Sequence, residues 1–172
     1  MPVELSFAKG AALIAGSGRI GNGVVRLLAR AGVPLTFTYR SDAVRANALE
    51  AEIAAAGGRA KAVAMDLSDA ASVDAAIDAA ISHGGPLRHV ISTGGPMTPF
   101  GTMADLGIEK IEKFLRDDAM GIFRLTQHVM PHLRKSGGSL TFCTTIANYR
   151  IVAYDGASPF SKGASWRNCS HH

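Results

Sequence analysis

A glycine-rich segment, IAGSGRIGNGV, contains the first residues whose types and spacing indicate chemistry. Gly16, Gly18 and Gly21 have the G-x-G-x-x-G spacing, directly after a short apolar segment and at the start of an amphipathic one. Glycines at these places let the backbone approach a pyrophosphate, which then binds the amide groups at a helix N-terminus. The segment therefore predicts a dinucleotide site, with an ordinary glycine-rich turn as the alternative. The predicted loop residues are Gly16, Ser17, Gly18, Arg19, Ile20 and Gly21.

A second segment, TFTYRSD, bears on which dinucleotide is bound. Tyr39 stands where an NAD-binding protein places an acid for the adenosine ribose, and Arg40 and Ser41 follow it. An acid there would repel a 2′-phosphate, whereas a guanidinium and a hydroxyl bind one. Arg19 is predicted to add a second cation to the same pocket. The pattern favours NADP(H) over NAD(H), and the alternative is that Arg40 is only a solvated surface charge.

The stretch SPFSK, residues 158–162, has the pattern of the first turn of a helix that carries a lysine. Ser158 followed by Pro159 is also typical of an N-cap and a first helical residue, so Ser158 is open to a purely structural interpretation. Another spacing, His128 and His132 on one predicted helix, is compatible with a metal, but no third ligand is in step with it. The pattern therefore predicts packed or solvated histidines and no metal site.

Short apolar segments alternate with amphipathic ones along the chain, and this order determines where the candidate residues lie. Segments 11–16, 34–39, 59–65, 87–92 and 138–144 are predicted as strands, and segments 20–31, 42–56, 69–83 and 108–135 as helices. Strands and helices in alternation predict an α/β fold, a doubly wound parallel sheet of the Rossmann type. Ligands bind such sheets at the carboxyl ends of the strands.

Composition limits the remaining functional classes. The chain has 172 residues, a net charge of +4 and 47% hydrophobic residues, which predicts one domain with one core. No segment has the length or hydropathy of a signal peptide or a membrane span, so a cytoplasmic location without a membrane partner is predicted. Basic residues are dispersed without interleaved aromatics, which argues against a nucleic-acid partner. Cys143 and Cys169 are far apart and do not indicate a disulfide framework.

Several of these segments together resemble the short-chain dehydrogenase/reductase family over nearly the whole chain. The loop ending Arg19-Ile20-Gly21 is similar to that of NADP-preferring members, and Asp66-Leu67 stands where the family contacts adenine. Ser92-Thr93-Gly94-Gly95 replaces the family's N-N-A-G turn and lacks both asparagines. The segment GIFRLTQHVMPHLRKSGGSLTF resembles the family's long interface helix and fifth strand, and the resemblance implies a homo-oligomer.

The resemblance also implies catalytic positions, and one of them has the wrong residue type. Lys162 aligns with the lysine of the Tyr-x-x-x-Lys motif, which binds the nicotinamide ribose, but Ser158 replaces the tyrosine. Thr145 keeps the hydroxyl of the serine that holds the substrate carbonyl, and Asp118 stands at the position of a helix asparagine. A serine hydroxyl is a much weaker acid than a phenol, so Ser158 is a poor general acid. Tyr154 is an alternative phenol in the preceding loop.

Two functional hypotheses follow. The first is an NADP(H)-dependent oxidoreductase that transfers a hydride to or from a small carbonyl or alcohol substrate, such as a 3-oxoacyl-like ketone. The second is an NADP-binding protein without turnover, either a sensor or an impaired enzyme.

The C-terminal segment, residues 165–172, has no helical periodicity. We expect an incomplete Rossmann domain over residues 1–164 and a tail that entered the sequence by truncation or by a frameshift after Ala164. Codons shifted by two bases are compatible with an amphipathic helix. The alternative is a natural short chain that covers the edge of its sheet by pairing with a second subunit.

Overall fold

Strands and helices alternate in the computed structural model, which describes residues 6–102 and 104–168. The strands are β1 (Ala11–Ala15), β2 (Leu35–Tyr39), β3 (Ala60–Ala64), β4 (Leu87–Ser92) and β5 (Ser139–Phe142). The helices are α1 (Arg19–Arg30), α2 (Ala43–Ala55), α3 (Ala70–Gly84), α4 (Ile108–Asp117), α5 (Ala119–Ser136) and α6 (Ser158–Asn168), and a 3-10 turn covers Ile146–Asn148.

The five strands form one parallel sheet in the order β3-β2-β1-β4-β5. The chain runs outward from β1 to β3 and then crosses back to β4, so the strand order reverses between β1 and β4. Ligands of such sheets bind in the crevice at this reversal, outside the carboxyl ends of the strands. The predicted doubly wound α/β fold is confirmed, and the glycine loop lies at the reversal because it follows β1.

The core has two layers, one on each face of the sheet. Leu13 packs on one face with α3 and α5, and Ile14 packs on the other face with α1 and α2. Every residue of β1 is buried, as expected for the central strand of a sheet covered on both faces. This packing fixes the position at which β1 ends and the glycine loop begins.

The prediction of one continuous helix over residues 108–135 is wrong. Asp118 interrupts it with backbone angles of φ −98° and ψ −66°, so α4 ends at Asp117 and α5 begins at Ala119. Asp118 carries no sequence signal for a break, and its amide still donates to the carbonyl of Phe114 at 2.9 Å. Its side chain is 1% exposed and binds residues of α6, so tertiary contacts hold this residue in its position.

The last helix extends beyond the expected end of the domain. Because α6 reaches Asn168, the backbone of residues 165–168 is helical even though their sequence has no helical periodicity. Cys169 and residues 170–172 lie outside the described residues, and the hypothesis of a frameshift stays a prediction. Within the described part of the chain, β5 is an edge strand of the sheet, and none of the helices is long and apolar enough to cross a membrane.

Candidate cofactor cleft and active site

A cleft of about 310 Å³ opens at the carboxyl ends of the strands. Loops that follow β1, β2, β3 and β4 line it, as the topology requires. The predicted cofactor residues that line it are Gly16, Ser17, Gly18, Tyr39, Arg40, Ser41, Asp66, Leu67, Thr93 and Gly94. The predicted residues outside its lining are Arg19, Ile20, Gly21, Ser92 and Lys162. Arg19 and Ile20 are exposed at the start of α1, whereas Gly21 and Ser92 are buried.

The glycine loop is bonded to the two neighbouring strands. The amide of Gly16 donates to the hydroxyl oxygen of Thr38 at 3.0 Å, and its carbonyl accepts from the hydroxyl of Thr93 at 2.9 Å. The amide of Gly94 donates to the carbonyl of Ala15 at 2.8 Å. Gly16 has a φ of +105°, which side-chain-bearing residues rarely adopt. These bonds hold the loop in one shape before any ligand arrives.

The loop also has the space that a pyrophosphate requires. A Cβ atom at Gly16 would lie 2.5 Å from the Cα of Gly94, and one at Gly21 would overlap the carbonyl oxygen of Gly16. Glycine at these two places therefore allows the loop to pack against its neighbours. A Cβ at Gly18 would meet nothing within 4 Å, so the backbone there is open beside the cleft. The loop fits a dinucleotide cofactor.

One charged pair borders the cleft after β2 and β3. Nη2 of Arg40 lies 3.9 Å from Oδ2 of Asp66. The Arg40 side chain is 62% exposed, so this pair is weak and leaves the guanidinium accessible from the cleft. Asp66 comes close because β2 and β3 are adjacent in the sheet, which sequence alone does not show.

Hydrogen bonds hold the pKa of the Asp66 carboxyl below its usual value. The main cause is the backbone amide of Ser68, which donates to Oδ1 at 2.9 Å, followed by the Ser68 hydroxyl at 2.8 Å. The charges of Arg40 and Arg124 act in the same direction, and partial desolvation opposes them. The ionised carboxylate is thus the form that the folded chain stabilises.

This lowered pKa predicts how stability depends on pH. The contribution of Asp66 is present above the unfolded carboxyl pKa, about 4, and is lost as the pH falls through the lower folded pKa. We expect Asp66→Asn to be less stable than the parent at pH 7, with the difference shrinking in acid. Urea unfolding at a series of pH values checks this. The effect is small because the carboxylate is half-exposed, and a difference that grows as the pH falls would contradict it.

A buried cluster joins α6 to the break between α4 and α5. Oδ1 of Asp118 accepts a hydrogen bond from Nζ of Lys162 at 2.8 Å, and Oδ2 accepts from the hydroxyl of Ser161. Asp118 and Ser161 are buried and Lys162 is 16% exposed. A Cβ at Gly95, which lines the cleft, would lie 3.0 Å from Nζ of Lys162. The ammonium is therefore held beside the cleft by a carboxylate.

A second cluster surrounds the position that resembles the family's tyrosine. Ser158 is buried, and its hydroxyl donates to Oδ2 of Asp155 and lies 3.5 Å from the hydroxyl oxygen of Thr145. The amide of Ser158 donates to Oδ1 of Asp155 at 3.1 Å. Asp155 thus accepts a hydrogen bond from the first amide of α6, as a capping side chain does. The Ser158 side chain donates a hydrogen bond and does not act as the capping acceptor. The hydroxyls of Thr145 and Ser158 thus lie side by side, and their catalytic roles stay predictions.

Tyr154 has a different setting from these hydroxyls. Its side chain is 67% exposed, its φ is +62°, and it lines a separate cavity of about 650 Å³ with the loop over residues 149–156. The structure therefore places this phenol outside the pair formed by Thr145 and Ser158.

Sequence reasoning missed Asp155 and Ser161, which hold two of the candidate catalytic residues. The position of Asp155, three residues before Ser158 at a helix start, is a signal that could have identified it, because an Asx cap accepts from the third amide after it. Ser161 carried no such signal. Its role depends on the hydrogen bond between Ser161 and Asp118, which are 43 residues apart in the chain.

The histidine spacing does not form a metal site among the described residues. Nδ1 of His128 lies 2.5 Å from Oδ1 of Asp74, so the side chain bridges α5 and α3. Pro131 lies inside α5 and does not end the helix. Cys143 is a free thiol.

The doubly wound sheet, the glycine loop at its switch point and a lysine held beside the cleft are the features of a short-chain dehydrogenase/reductase. A family model described as enoyl-(acyl carrier protein) reductase matches residues 14–167. The chain belongs to this family.

Two curated relatives and one solved structure show how far the similarity extends. The hydroxynaphthalene reductase-like protein Arp2 of Metarhizium anisopliae is 31% identical over 83% of this chain and 54% of its own length. The tetrahydroxynaphthalene reductase PfmaG of Pestalotiopsis fici is 31% identical over 82% of this chain and 50% of its own length. A short-chain dehydrogenase/reductase from Serratia marcescens superposes with a TM-score of 0.81 at 28% identity, over 90% of this chain and 63% of that one. The chain thus spans about half the length of its curated relatives.

Proposed function

We propose that the chain is an oxidoreductase that uses NADP(H) and transfers a hydride to or from a small carbonyl or alcohol substrate. The observation that supports this most is the exposed guanidinium of Arg40, which lines the cleft next to Ser41. A guanidinium and a hydroxyl there match the 2′-phosphate that distinguishes NADP from NAD.

Residues of this chain have distinct roles in the proposed reaction. The bound nicotinamide supplies or accepts the hydride. Lys162 would donate a hydrogen bond to the nicotinamide ribose, and Asp118 holds the Lys162 side chain in place through the 2.8 Å bond. The hydroxyls of Thr145 and Ser158, 3.5 Å apart, hold the oxygen of the substrate. Since a serine hydroxyl transfers its proton poorly, we expect slow turnover.

The substrate class is a small ketone or the matching alcohol. We include 3-oxoacyl-like ketones, and we add aromatic ketones because two relatives carry hydroxynaphthalene or tetrahydroxynaphthalene reductase in their names. We also propose a homo-oligomer. Met120 and Phe123 are exposed apolar residues on α5, the helix that the family resemblance assigns to the interface. The cytoplasmic location and the lack of nucleic-acid or membrane partners stay predictions.

A second candidate function is NADP binding without turnover. It is favoured by the hydrogen bond between Ser158 and Asp155, which occupies the hydroxyl at the acid position, and by the exposure of Tyr154. In this candidate the cleft retains its affinity for the dinucleotide and the chemistry is lost.

Binding and turnover measured side by side distinguish the two candidates. We expect NADPH to bind more tightly than NADH in a fluorescence titration, and to be oxidised slowly in the presence of a ketone panel that includes tetralone and a 3-oxoacyl thioester. Binding with no oxidation by any ketone would favour the second candidate. Equal dissociation constants for the two cofactors would contradict both.

A further inference from the structure

Asp155 is a carboxylate with two bonds to Ser158, and the proposed reaction gives it no role. Its Oδ1 accepts from the amide of Ser158 at 3.1 Å, and its Oδ2 accepts from the Ser158 hydroxyl. Only the first of these bonds is needed to cap α6. The second places a carboxylate directly behind a hydroxyl that lies 3.5 Å from the hydroxyl oxygen of Thr145.

The direction of the hydroxyl bond decides which proton transfer it suits. A serine hydroxyl has one proton, and an ionised carboxylate has none to give, so Ser158 is the donor and Asp155 the acceptor. The lone pairs of the Ser158 oxygen therefore remain available to the O–H group of an alcohol. This is the arrangement that removes a proton from an alcohol, and it does not suit the delivery of a proton to a ketone.

Asp155 also has a route by which a proton can leave. It lines the cavity of about 650 Å³ together with Pro159, which follows Ser158 in α6. A cavity of this size holds several water molecules, so a proton on Asp155 can exchange with water there. Other charged or titratable groups surround this carboxylate in the described part of the chain. They are Arg150, Tyr149 and Tyr154 around the cavity, Asp105 in the loop bridged to Asp155 at Gly101, and Lys162, bonded to Asp118, on α6.

We propose that Asp155 accepts the proton of an alcohol substrate through the hydroxyl of Ser158, so that these two side chains replace the phenol of the family in alcohol oxidation. This proposal rests on the proposed function. Asp155 acts through Ser158 and does not itself touch the substrate, so it is a positioning residue that also stores the proton. Ser158 only passes a proton on and does not carry a charge, so its weak acidity is not limiting.

The transfer balances in protons and electrons. The alcohol proton moves to the Ser158 oxygen as the Ser158 proton moves to Oδ2 of Asp155, and a hydride leaves the alcohol carbon for NADP⁺. The products are the ketone, NADPH and a protonated Asp155, which loses its proton to water in the cavity. In the opposite direction an ionised Asp155 has no proton to give, which is consistent with slow ketone reduction at neutral pH.

The test is a double-mutant cycle on the oxidation of 1-tetralol by NADP⁺. Asp155→Asn keeps an oxygen that caps α6 and removes the base, and Ser158→Ala removes the hydroxyl that links the base to the substrate. We expect each variant to lower kcat about 10²-fold, and the double variant to lose no more than either single one. Asp69→Asn is the matched control, because Asp69 caps α3 through the amide of Ala71 and lies outside the lining of both cavities. It should leave kcat unchanged.

The pH profile and cofactor binding separate proton transfer from a structural role. The parent rate should be level from about pH 6 to 8, because a carboxylate with an ordinary pKa near 4 is ionised throughout this range. In Asp155→Asn the proton must pass to hydroxide, so the rate should rise about 10-fold per pH unit. Titration should give the same NADP⁺ dissociation constant for the parent and all variants, and thermal melting checks that each is folded.

The outcomes separate this proposal from the function on which it rests. If the parent oxidises the alcohol and Asp155→Asn keeps both the rate and the level pH profile, only the role of Asp155 is overturned. A lower rate with an unchanged profile, or losses that add in the double variant, would assign Asp155 a structural role and also overturn the proposal. A parent that binds NADP⁺ but oxidises no alcohol would contradict the proposed turnover, and the role of Asp155 would fail with it.

Discussion

Ser158→Tyr is expected to raise the rate of NADPH-dependent ketone reduction by about 10²–10⁴-fold, the usual contribution of a positioned general acid. The expectation rests on the surroundings of Ser158, which are already those of a proton donor. Its hydroxyl lies 3.5 Å from that of Thr145, and Lys162 is on the same helix one turn further on. A nearby ammonium lowers the pKa of a phenol. A serine hydroxyl is so much weaker an acid that the same ammonium does not make it a useful proton donor.

Two variants control for this gain. Ser158→Phe introduces a ring of similar size without a hydroxyl, so its rate should lie at or below that of the parent. Both ring variants lose the bond from the Ser158 hydroxyl to Asp155, so they share any cost in stability. Equal rates for the two would show that a phenol at this position has no catalytic effect. Brisk reduction by the parent that Tyr154→Phe abolishes would show instead that Tyr154 is the acid.

Arg40→Asp should reverse the cofactor preference. Loss of a charge-assisted contact of about 1.5–3 kcal/mol weakens NADPH binding about 10–100-fold, and repulsion between the new carboxylate and the 2′-phosphate adds to this. NADH should bind more tightly, because an acid after β2 accepts hydrogen bonds from the ribose hydroxyls. Dissociation constants for both cofactors from fluorescence titrations check the reversal.

Arg40→Gln is the matched neutral variant. It should bring the two dissociation constants closer together without inverting them, because it removes the positive charge and adds no repulsion. An unchanged preference in both variants would mean that Arg40 is a solvated surface charge, as the alternative in the sequence analysis holds. The pKa of Asp66 is a useful internal reference, because the loss of Arg40 removes one of the charges that lower it, so it should rise in both variants.

The fold could be predicted from sequence because its signals are local and repeated. Each strand is a short apolar run, and β1 through β5 lie within two residues of their predicted bounds. The glycine loop was equally clear, since spacing and position agree. Asp118 shows the limit of such patterns. Helical periodicity runs through it, and only its contacts with Ser161 and Lys162, more than forty residues away in the chain, accompany the break.

The candidate site was predicted in its residue types more than in its contacts. Arg19 is next to the glycines in sequence, but the first turn of α1 places it outside the lining of the cleft. Arg45, the third residue of α2, is far from the glycines in sequence, but the packing of α1 and α2 brings its Nη2 within 3.3 Å of Asn22, whose amide donates to the carbonyl of Ser17. Proximity between the first turns of two helices depends on how both pack on the sheet, and no single segment encodes it.

The bonds of the glycine loop have a consequence for how the molecule fluctuates. Because Gly16 is bonded to Thr38 in β2 and to Thr93 after β4, opening of the loop must break contacts with both of these strands. Any excursion that frees it must break contacts at the ends of three adjacent strands, so the loop shares the slow, cooperative opening of the sheet interior and lacks the rapid local fraying of a surface turn. The glycine-loop end of the cleft is thus rigid, and a ligand that binds there would cost entropy mainly at exposed side chains such as that of Arg40.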